Sequence, residues 1–400
     1  MSAPTRRRVV RAIAGGFAVS LAGCLGETDD EGEADDEGEA DDEGDEAGPG
    51  SDGLVYAFAP DLIAVIDPET GDVVDEITDG VDGMEWGDPR ITHDHGAIFV
   101  TEQSRAQVLA VDTEHRSIDG EVDVGPDPLH VYNPVEGEIW AHADGEGAFY
   151  VIDTDSLEVL DVVEASLEGG GHGKLLAHEE LGEKAYAANV TEPAAITVDL
   201  AERERTGEIE LGPAGGAHYK AYAPETGLAY FEHQGIGTAV VDTETDEVVD
   251  ELEFLGGMSL SPEETILAVL DGDDVYFLDA TSEESEVLGT IEIEAGPDTL
   301  RYVEVDGVLY GVTANGESPG VTIVDVEEST IVDEFTVDEA GDGSRAGVTA
   351  GDYFVSPSSA DGTVAILDVA ERELVAEVDV APGVDTVQYV GDSGVGYTGR

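Results

Sequence analysis

Short hydrophobic runs that end in aspartate recur along the chain, and a polar turn follows each of them. Eight such runs lie between residues 60 and 370, and they end at Asp67 (IAVID), Asp112 (VLAVD), Asp153 (FYVID), Asp199 (AITVD), Asp242 (TAVVD), Asp279 (VYFLD), Asp325 (VTIVD) and Asp368 (VAILD). Successive aspartates are 45, 41, 46, 43, 37, 46 and 43 residues apart. This period matches a four-stranded propeller blade better than the common helical repeats. The pattern predicts eight blades, or seven if one copy is irregular.

Alternating apolar and polar residues divide the third copy into four strands. The predicted inner, second, third and outer strands are Asp127–Asn133, Glu138–His142, Phe149–Asp153 and Leu157–Val163. The segments between them are rich in Asn, Pro, Gly and Asp, which favour turns. Because no segment has helical periodicity, we predict an all-β fold, a single propeller over residues 54–400.

The first copy lacks an inner strand of its own. Pro382–Val390, after the last aspartate, is predicted to supply that strand by pairing with the start of the chain. This pairing would close the ring and remove two open sheet edges. Leu54–Ala59 and Val395–Thr398 are both candidates for the second strand of the closing blade.

Two copies, FYVIDTDSLEVLDVV and TAVVDTETDEVVDELEF, carry a resemblance to a known repeat. They resemble the YVTN-type propeller repeats of extracytoplasmic proteins, and the resemblance extends over nearly all of residues 54–400. It implies the propeller fold. It says little about activity, because this fold carries many unrelated functions.

Acidic residues dominate the charge of the chain, with 93 Asp and Glu against 16 Lys and Arg. The segment from Glu27 to Asp52 holds 15 acidic residues and no basic one, which leaves 78 acidic and 12 basic residues in the predicted propeller. Their self-repulsion opposes compaction unless molar salt shortens the Debye length to about 3 Å. We therefore predict a halophile's protein. The sequence offers no basic patch to neutralise phosphates, so nucleic acid is excluded as a partner.

The first 24 residues look like an export signal. Three arginines, Arg6-Arg7-Arg8, resemble a twin-arginine motif, and the apolar stretch from Ile13 to Leu21 is too short to span a bilayer. Leu21-Ala22-Gly23-Cys24 resembles a lipobox, which implies lipidation of Cys24. Cys24 is the only cysteine, so the chain forms no internal disulfide.

These features divide the chain into three predicted regions. Residues 1–23 form a signal peptide, residues 24–53 an acidic disordered tether, and residues 54–400 the propeller. The expected product is a monomer, exported and held by its lipid on the outer face of the cell membrane.

Nine histidines all lie between His93 and His233. In a four-stranded meander, the start of the inner strand and the end of the second strand lie on the same side of the ring. His115 and His178 map to the opposite side. Alternation along the inner strands directs His172 with Lys174, and His218 with Lys220, toward one side. We expect seven histidines from four consecutive blades to share one face: His93, His95, His130, His142, His172, His218 and His233.

A shared face of imidazoles predicts a transition-metal site. Imidazole suits Zn, Cu, Fe and Ni, and the carboxylates of Asp94, Glu102 and Glu232 are close to histidines in sequence. No thiolate is near, and Met258 is one of only two methionines outside the signal. Zinc is therefore favoured, with Cu(II) as the runner-up.

The exported propeller with histidines on adjacent blades resembles the periplasmic zinc-chaperone propellers. That resemblance implies a metallochaperone whose partner is the binding protein of a metal transporter. The alternative is a metal-free surface scaffold that binds a protein or a glycan. An enzyme is the third hypothesis, but the sequence has no G-x-S-x-G elbow, no H-E-x-x-H helix and no phosphate loop.

Overall fold

The computed structural model describes residues 51–167, 169–293, 296–315, 320–336 and 347–391. The predicted signal peptide, Cys24, nearly all of the predicted tether and the candidate strand Val395–Thr398 lie outside these residues. No helix among the described residues is long and apolar enough to cross a membrane.

Thirty-two strands form eight antiparallel sheets of four strands each, arranged in a ring. The described residues add one short 3-10 helix, Glu179–Leu181. The prediction of an all-β propeller with eight blades is therefore confirmed.

The first four blades cover the chain from residue 55 to residue 210, together with one strand from its end. Blade one contains β1 (Val55–Ala59), β2 (Leu62–Asp67), β3 (Asp72–Ile77) and β32 (Thr386–Tyr389). Blade two contains β4 (Trp86–Ile91), β5 (Ala97–Glu102), β6 (Gln107–Asp112) and β7 (Ser117–Asp123). Blade three contains β8 (Pro128–Tyr132), β9 (Glu138–Ala143), β10 (Ala148–Asp153) and β11 (Val159–Glu164). Blade four contains β12 (Gly173–Leu176), β13 (Lys184–Asn189), β14 (Ala194–Asp199) and β15 (Glu204–Glu210).

The other four blades follow in chain order. Blade five contains β16 (Lys220–Ala223), β17 (Leu228–His233), β18 (Gly237–Asp242) and β19 (Glu247–Leu252). Blade six contains β20 (Gly257–Leu260), β21 (Ile266–Asp271), β22 (Asp274–Asp279) and β23 (Val287–Glu292). Blade seven contains β24 (Pro297–Val305), β25 (Val308–Asn315), β26 (Val321–Asp325) and β27 (Thr330–Phe335). Blade eight contains β28 (Val348–Ala350), β29 (Tyr353–Ser358), β30 (Thr363–Asp368) and β31 (Glu373–Asp379).

The ring closes through hydrogen bonds between the two ends of the described chain. Strand β32 pairs antiparallel with β1, in a register that matches Val55 to Tyr389 and Phe58 to Thr386. The backbone N–H of Gly53 donates to the carbonyl of Val390 at 2.8 Å and extends this pairing. The segment Pro382–Val390 thus supplies the inner strand as predicted, and β1 is the second strand of the closing blade.

The repeated aspartate caps the turn between the third and outer strands of every blade. Its carboxylate accepts hydrogen bonds of 2.8 to 3.2 Å from backbone N–H groups two or three residues ahead. A residue with positive φ follows each turn, for example Gly71 at 71° and Arg116 at 53°. This turn geometry reverses the chain and introduces the bulge seen between third and outer strands, for example between Val65 and Ile66.

Large apolar side chains fill the spaces between neighbouring blades. Between blades one and two, Phe58 meets Trp86 edge to face with 5.5 Å between ring centroids. The Trp86 Nε1–H donates to the carbonyl of Ala59 at 2.8 Å, so the buried indole keeps a hydrogen-bond partner. Each blade therefore buries its faces only against its neighbours, which makes the closed ring one cooperative unit.

The turn-capping role of the aspartates predicts a difference between two substitutions of Asp242, which accepts from Glu244 N and Thr245 N. Asp242→Ala and Asp242→Asn both remove one negative charge, but only Asn keeps an oxygen acceptor. We expect Asp242→Ala to be less stable than Asp242→Asn by about 1 kcal/mol. Urea unfolding in constant molar KCl would measure this difference. Equal stability of the two variants would contradict the capping role.

Candidate metal centre

Three histidines from three adjacent blades meet at the axis of the ring. His130 lies on inner strand β8, His172 directly precedes β12, and His218 precedes β16. One ring nitrogen from each lies within 4.8 Å of the others. The shortest contact joins His130 Nε2 and His172 Nε2 at 3.2 Å. Among the described residues, this histidine triad is the one group of side chains close enough to share a metal ion.

Two aspartates hold the outer nitrogens of the triad. The Nδ1 atom of His130 lies 2.5 Å from an oxygen of Asp88, and the Nδ1 atom of His172 lies 2.7 Å from an oxygen of Asp144. The other oxygen of Asp144 lies 2.7 Å from Nδ1 of His142. A single carboxylate therefore orients one imidazole in blade three and another in blade four.

These carboxylates determine which ring nitrogens carry a proton. An ionised carboxylate only accepts hydrogen bonds, so His130 and His172 must donate through Nδ1–H. In the neutral rings, both Nε2 atoms then present lone pairs to each other across 3.2 Å. Two lone pairs at this distance repel unless a cation lies between them. The arrangement is the one in which metal-bound histidines are held by carboxylates.

The geometry and donor set fit zinc. Two nitrogens of a tetrahedral zinc site, each about 2.0–2.1 Å from the metal, are about 3.3 Å apart. His130 Nε2 and His172 Nε2 are 3.2 Å apart, which is close to this spacing, and a ring nitrogen of His218 lies within 4.8 Å of a ring nitrogen of each. His218 Nε2 is buried and has no hydrogen-bond partner among the described residues, so a metal would satisfy it.

Burial keeps two imidazoles of the triad, those of His130 and His218, unprotonated at neutral pH. Burial lowers the pKa of His130 to about 4, although Asp88 opposes the shift. Burial also lowers the pKa of His218, and the charges of Lys174 and Lys220 lower it further. Burial alone would raise the pKa of Asp144, but hydrogen bonds from His142 and His172 lower it to about 2. At neutral pH the rings of His130 and His218 are therefore neutral, and the carboxylate of Asp144 is ionised.

Two of the other four histidines expected on this face, His142 and His233, lie near the ends of second strands and are buried. The ring of His142 is 1% exposed, contacts Phe149 edge to face and packs on the backbone of Gly173. His233 is fully buried and accepts a hydrogen bond from Gly235 N at its Nδ1. His142 thus supports the triad through Asp144, while His233 packs between strands.

His93 and His95 lie elsewhere, which corrects the predicted inner strand of blade two. That strand ends at Ile91, and the turn after it is fixed by Asp94, which accepts from Thr92 Oγ1 and Gly96 N. Both histidines line a separate cavity of about 390 Å³ together with His178. The single face of seven histidines is therefore wrong. The Thr92–Asp94 turn ends the strand before His93.

The remaining histidines have local partners. His178 accepts from Glu180 N at Nδ1 and contacts Glu264 through Nε2 at 2.9 Å. His115 lies on the outer rim, where its Nδ1 is 2.9 Å from the turn aspartate Asp112.

The carboxylates proposed from sequence neighbourhood have other roles. Glu102 accepts from Glu85 N, Ser104 Oγ and Arg105 N, and Asp94 stabilises its own turn. Glu232 accepts from Tyr219 N at 3.1 Å. Sequence reasoning missed Asp88 and Asp144. The signal for Asp144 was its position two residues after His142, whereas Asp88 is 42 residues from its partner His130.

Comparisons with known proteins support the fold alone. No family matches the sequence, and no curated protein matches it. The chain is similar in structure to the dihydro-heme d1 dehydrogenase NirN in complex with DHE (TM-score 0.70, 12% identity, covering 85% of this chain and 75% of that chain). It is also similar to AztD from Citrobacter koseri (TM-score 0.62, 13% identity, 84% and 96%) and to the computationally designed Ika8 protein (TM-score 0.62, 10% identity, 76% and 91%).

The bridging role of Asp144 predicts a change of tautomer when it is replaced. Asp144→Asn leaves one oxygen acceptor for two imidazoles, so either His142 or His172 must lose its Nδ1–H donor bond. Nitrogen-15 NMR of histidine-labelled, chelator-treated protein at neutral pH would record one ring changing to the Nε2–H tautomer. Asp112→Asn is the matched control and is expected to change only the signals of His115. Unchanged tautomers in Asp144→Asn would contradict the assignment.

Proposed function

We propose that this protein binds a transition-metal ion, zinc in preference to copper, at His130, His172 and His218. The observation that supports this most directly is the 3.2 Å contact between two Nε2 atoms whose rings both donate from Nδ1 to carboxylates. A cation between the nitrogens removes the repulsion between their lone pairs. The buried Nε2 of His218, which has no hydrogen-bond partner among the described residues, would be the third metal ligand.

The all-nitrogen donor set favours zinc. Imidazole binds both Zn²⁺ and Cu²⁺, whereas Cu⁺ prefers thiolates and thioethers. Cys24, the only cysteine, lies outside the described residues, and Met258 lines the adjacent cavity but is not part of the triad. Copper(II) remains the runner-up because the binding order of divalent metals favours it for any nitrogen site.

A three-histidine site suits delivery of the metal rather than permanent storage. Structural zinc sites are closed by four protein ligands, whereas sites with three ligands leave one position open. An incoming ligand can occupy that position before the histidines release the ion. This supports a metallochaperone that passes zinc to another protein, in line with the resemblance to zinc-chaperone propellers. The binding protein of a metal transporter is the partner we propose.

The proposed location is outside the cell, on the outer face of the membrane. The twin-arginine motif and Cys24 support export and lipid anchoring, and the excess of 93 acidic over 16 basic residues supports an environment of high salt. The long acidic segment would act as the tether between lipid and ring, and the ring would act as a monomer.

A tetrapyrrole cofactor like the one named for NirN is not part of the proposal. The cavity beside the triad has a volume of about 150 Å³. Sites that enclose drug-sized ligands have about 300–1,000 Å³, and a tetrapyrrole needs at least that much.

Zinc analysis of histidine variants tests the metal site. We expect the purified full-length chain, dialysed in molar KCl, to retain about one zinc ion per chain. His130→Ala combined with His218→Ala should lose that zinc, because one remaining imidazole cannot hold the ion. Elemental analysis measures the stoichiometry. His115→Ala is the matched control, since His115 lies on the rim and should leave zinc unchanged.

Two results would overturn the proposal. Zinc that survives the double substitution would place the metal elsewhere, and no zinc or copper in any preparation would favour the metal-free scaffold. Stronger retention of copper than zinc in a competition dialysis would overturn the choice of metal.

A further inference from the structure

Four basic side chains line one small cavity at the axis of the ring. Arg90 (β4), Lys174 (β12), Lys220 (β16) and Arg301 (β24), here called the basic layer, surround a volume of about 150 Å³. They come from four different blades, and His130 and Asp88 line the same cavity. The basic layer and the histidine triad are therefore neighbours along the axis.

The concentration of positive charge is exceptional for this chain. Only 16 of its 400 residues are Lys or Arg, against 93 Asp and Glu. Of the six other basic side chains among the described residues, four pair with an acidic one, for example Lys184 with Asp246 at 3.0 Å and Arg203 with Glu138. Basic residues are rare in this chain, so four of them in one cavity exceed the number expected from its composition. An anionic ligand would explain why they lie together.

Strand alternation explains how the layer forms. Lys174 lies two residues after His172, Lys220 two residues after His218, and Arg90 two residues after Asp88. Residues two apart on a strand face the same side and are separated by about 6.6 Å along the strand. The inner strands thus place a ring of imidazoles and carboxylate at one level and a ring of basic groups at the next.

Contacts hold these side chains in the cavity. Lys174 Nζ lies 5.0 Å from the centre of the Tyr219 ring, and Arg301 Nε donates to the carbonyl of Gly347 at 3.0 Å. Lys220 is 5% exposed, and its Nζ is 3.5 Å from the carbonyl of His218. Asp88 interacts electrostatically with Lys174 and Arg90, and Glu232 interacts with Lys174 and Lys220. These two acidic side chains are fewer than the four basic ones that line the cavity.

We propose that the basic layer binds one small tetrahedral oxyanion of the size of phosphate or sulfate. Guanidinium groups pair with oxyanions through two parallel hydrogen bonds, and lysines add point charges. The hydrogen-bond donors of the layer come from four blades, and a tetrahedral oxyanion presents four oxygens that can accept from different sides. The cavity volume of about 150 Å³ accommodates such an anion but not a nucleotide.

The anion site extends the proposed function without depending on it. An anion about one strand repeat from the triad compensates the charge of a bound divalent cation. This part of the inference rests on the proposed zinc site, and it predicts mutual strengthening, because coupling between two ligands is reciprocal.

Equilibrium dialysis with radiolabelled sulfate tests the anion site in chelator-treated, full-length protein. The KCl concentration is held at about 2 M in all arms, so that screening and competition by chloride stay constant. We expect about one sulfate per chain, displaced by phosphate and not by an equal concentration of acetate. No bound sulfate, or equal displacement by acetate, would overturn the proposal.

Charge-removing variants locate the site. Lys220→Met and Arg301→Gln should each weaken sulfate binding by about tenfold or more, since each removes one hydrogen-bond donor that lines the cavity. Lys184→Met is the matched control, because Lys184 pairs with Asp246 away from the axis. Near-ultraviolet circular dichroism verifies folding. If Lys220→Met does not fold, Arg301→Gln alone decides. Sulfate affinity that is the same in Arg301→Gln and the control would overturn the location.

A final arm repeats the dialysis with zinc present. We expect zinc to tighten sulfate binding severalfold. Zinc that binds without changing sulfate affinity would overturn the coupling and leave the anion site standing. If no zinc binds, the metal proposal fails, whereas the sulfate result from chelator-treated protein still decides the anion site.

Discussion

Strand alternation inside a closed ring is the constraint on which the rest of the molecule depends. Only one side of each inner strand can face the axis, so every second residue of that strand enters the channel. Closure then brings the chosen residues of different blades to a common level. His130, His172 and His218 are about 40 residues apart in sequence, yet they share a space of less than 5 Å because of this geometry. The charge of the surface has little influence here, since the walls of the channel are separated from it by three further strands per blade.

Hydrogen bonds to carboxylates fix the orientation of two of the three neighbouring imidazoles, those of His130 and His172. Asp88 and Asp144 determine which nitrogen of His130 and His172 faces the axis, and burial keeps the His130 ring neutral. Without these partners each ring could rotate or change tautomer, and proximity alone would not make a binding site. Strand β4, which carries Asp88, and strand β12, which follows His172, continue into the basic layer, so the imidazoles and carboxylates are followed by basic side chains within about one strand repeat.

The fold was readable from the sequence because its signal is local and repeated. Each aspartate caps a turn within three residues of itself, and eight copies at a near-constant spacing reveal the blades. The site was readable only in part. His172 and His218 were placed correctly in the channel by alternation, but Thr92 and Asp94 end a strand early and remove His93 from it. Hydrogen bonds between residues far apart in sequence have no such local pattern. Asp88, for example, is 42 residues from its partner His130. The basic layer could not be predicted from the sequence, because the overall excess of acidic residues does not indicate which of the few basic side chains lie close together.

The pairing of β32 with β1 has a consequence for the order in which the protein can be made. Thr386–Tyr389 follows all other strands of the described residues, and until it is synthesised the first blade has three strands and the sheet edge of β1 is unpaired. A chain that terminates early therefore cannot become a closed ring, however well its other blades form. Closure of the ring therefore waits for the last of its described strands.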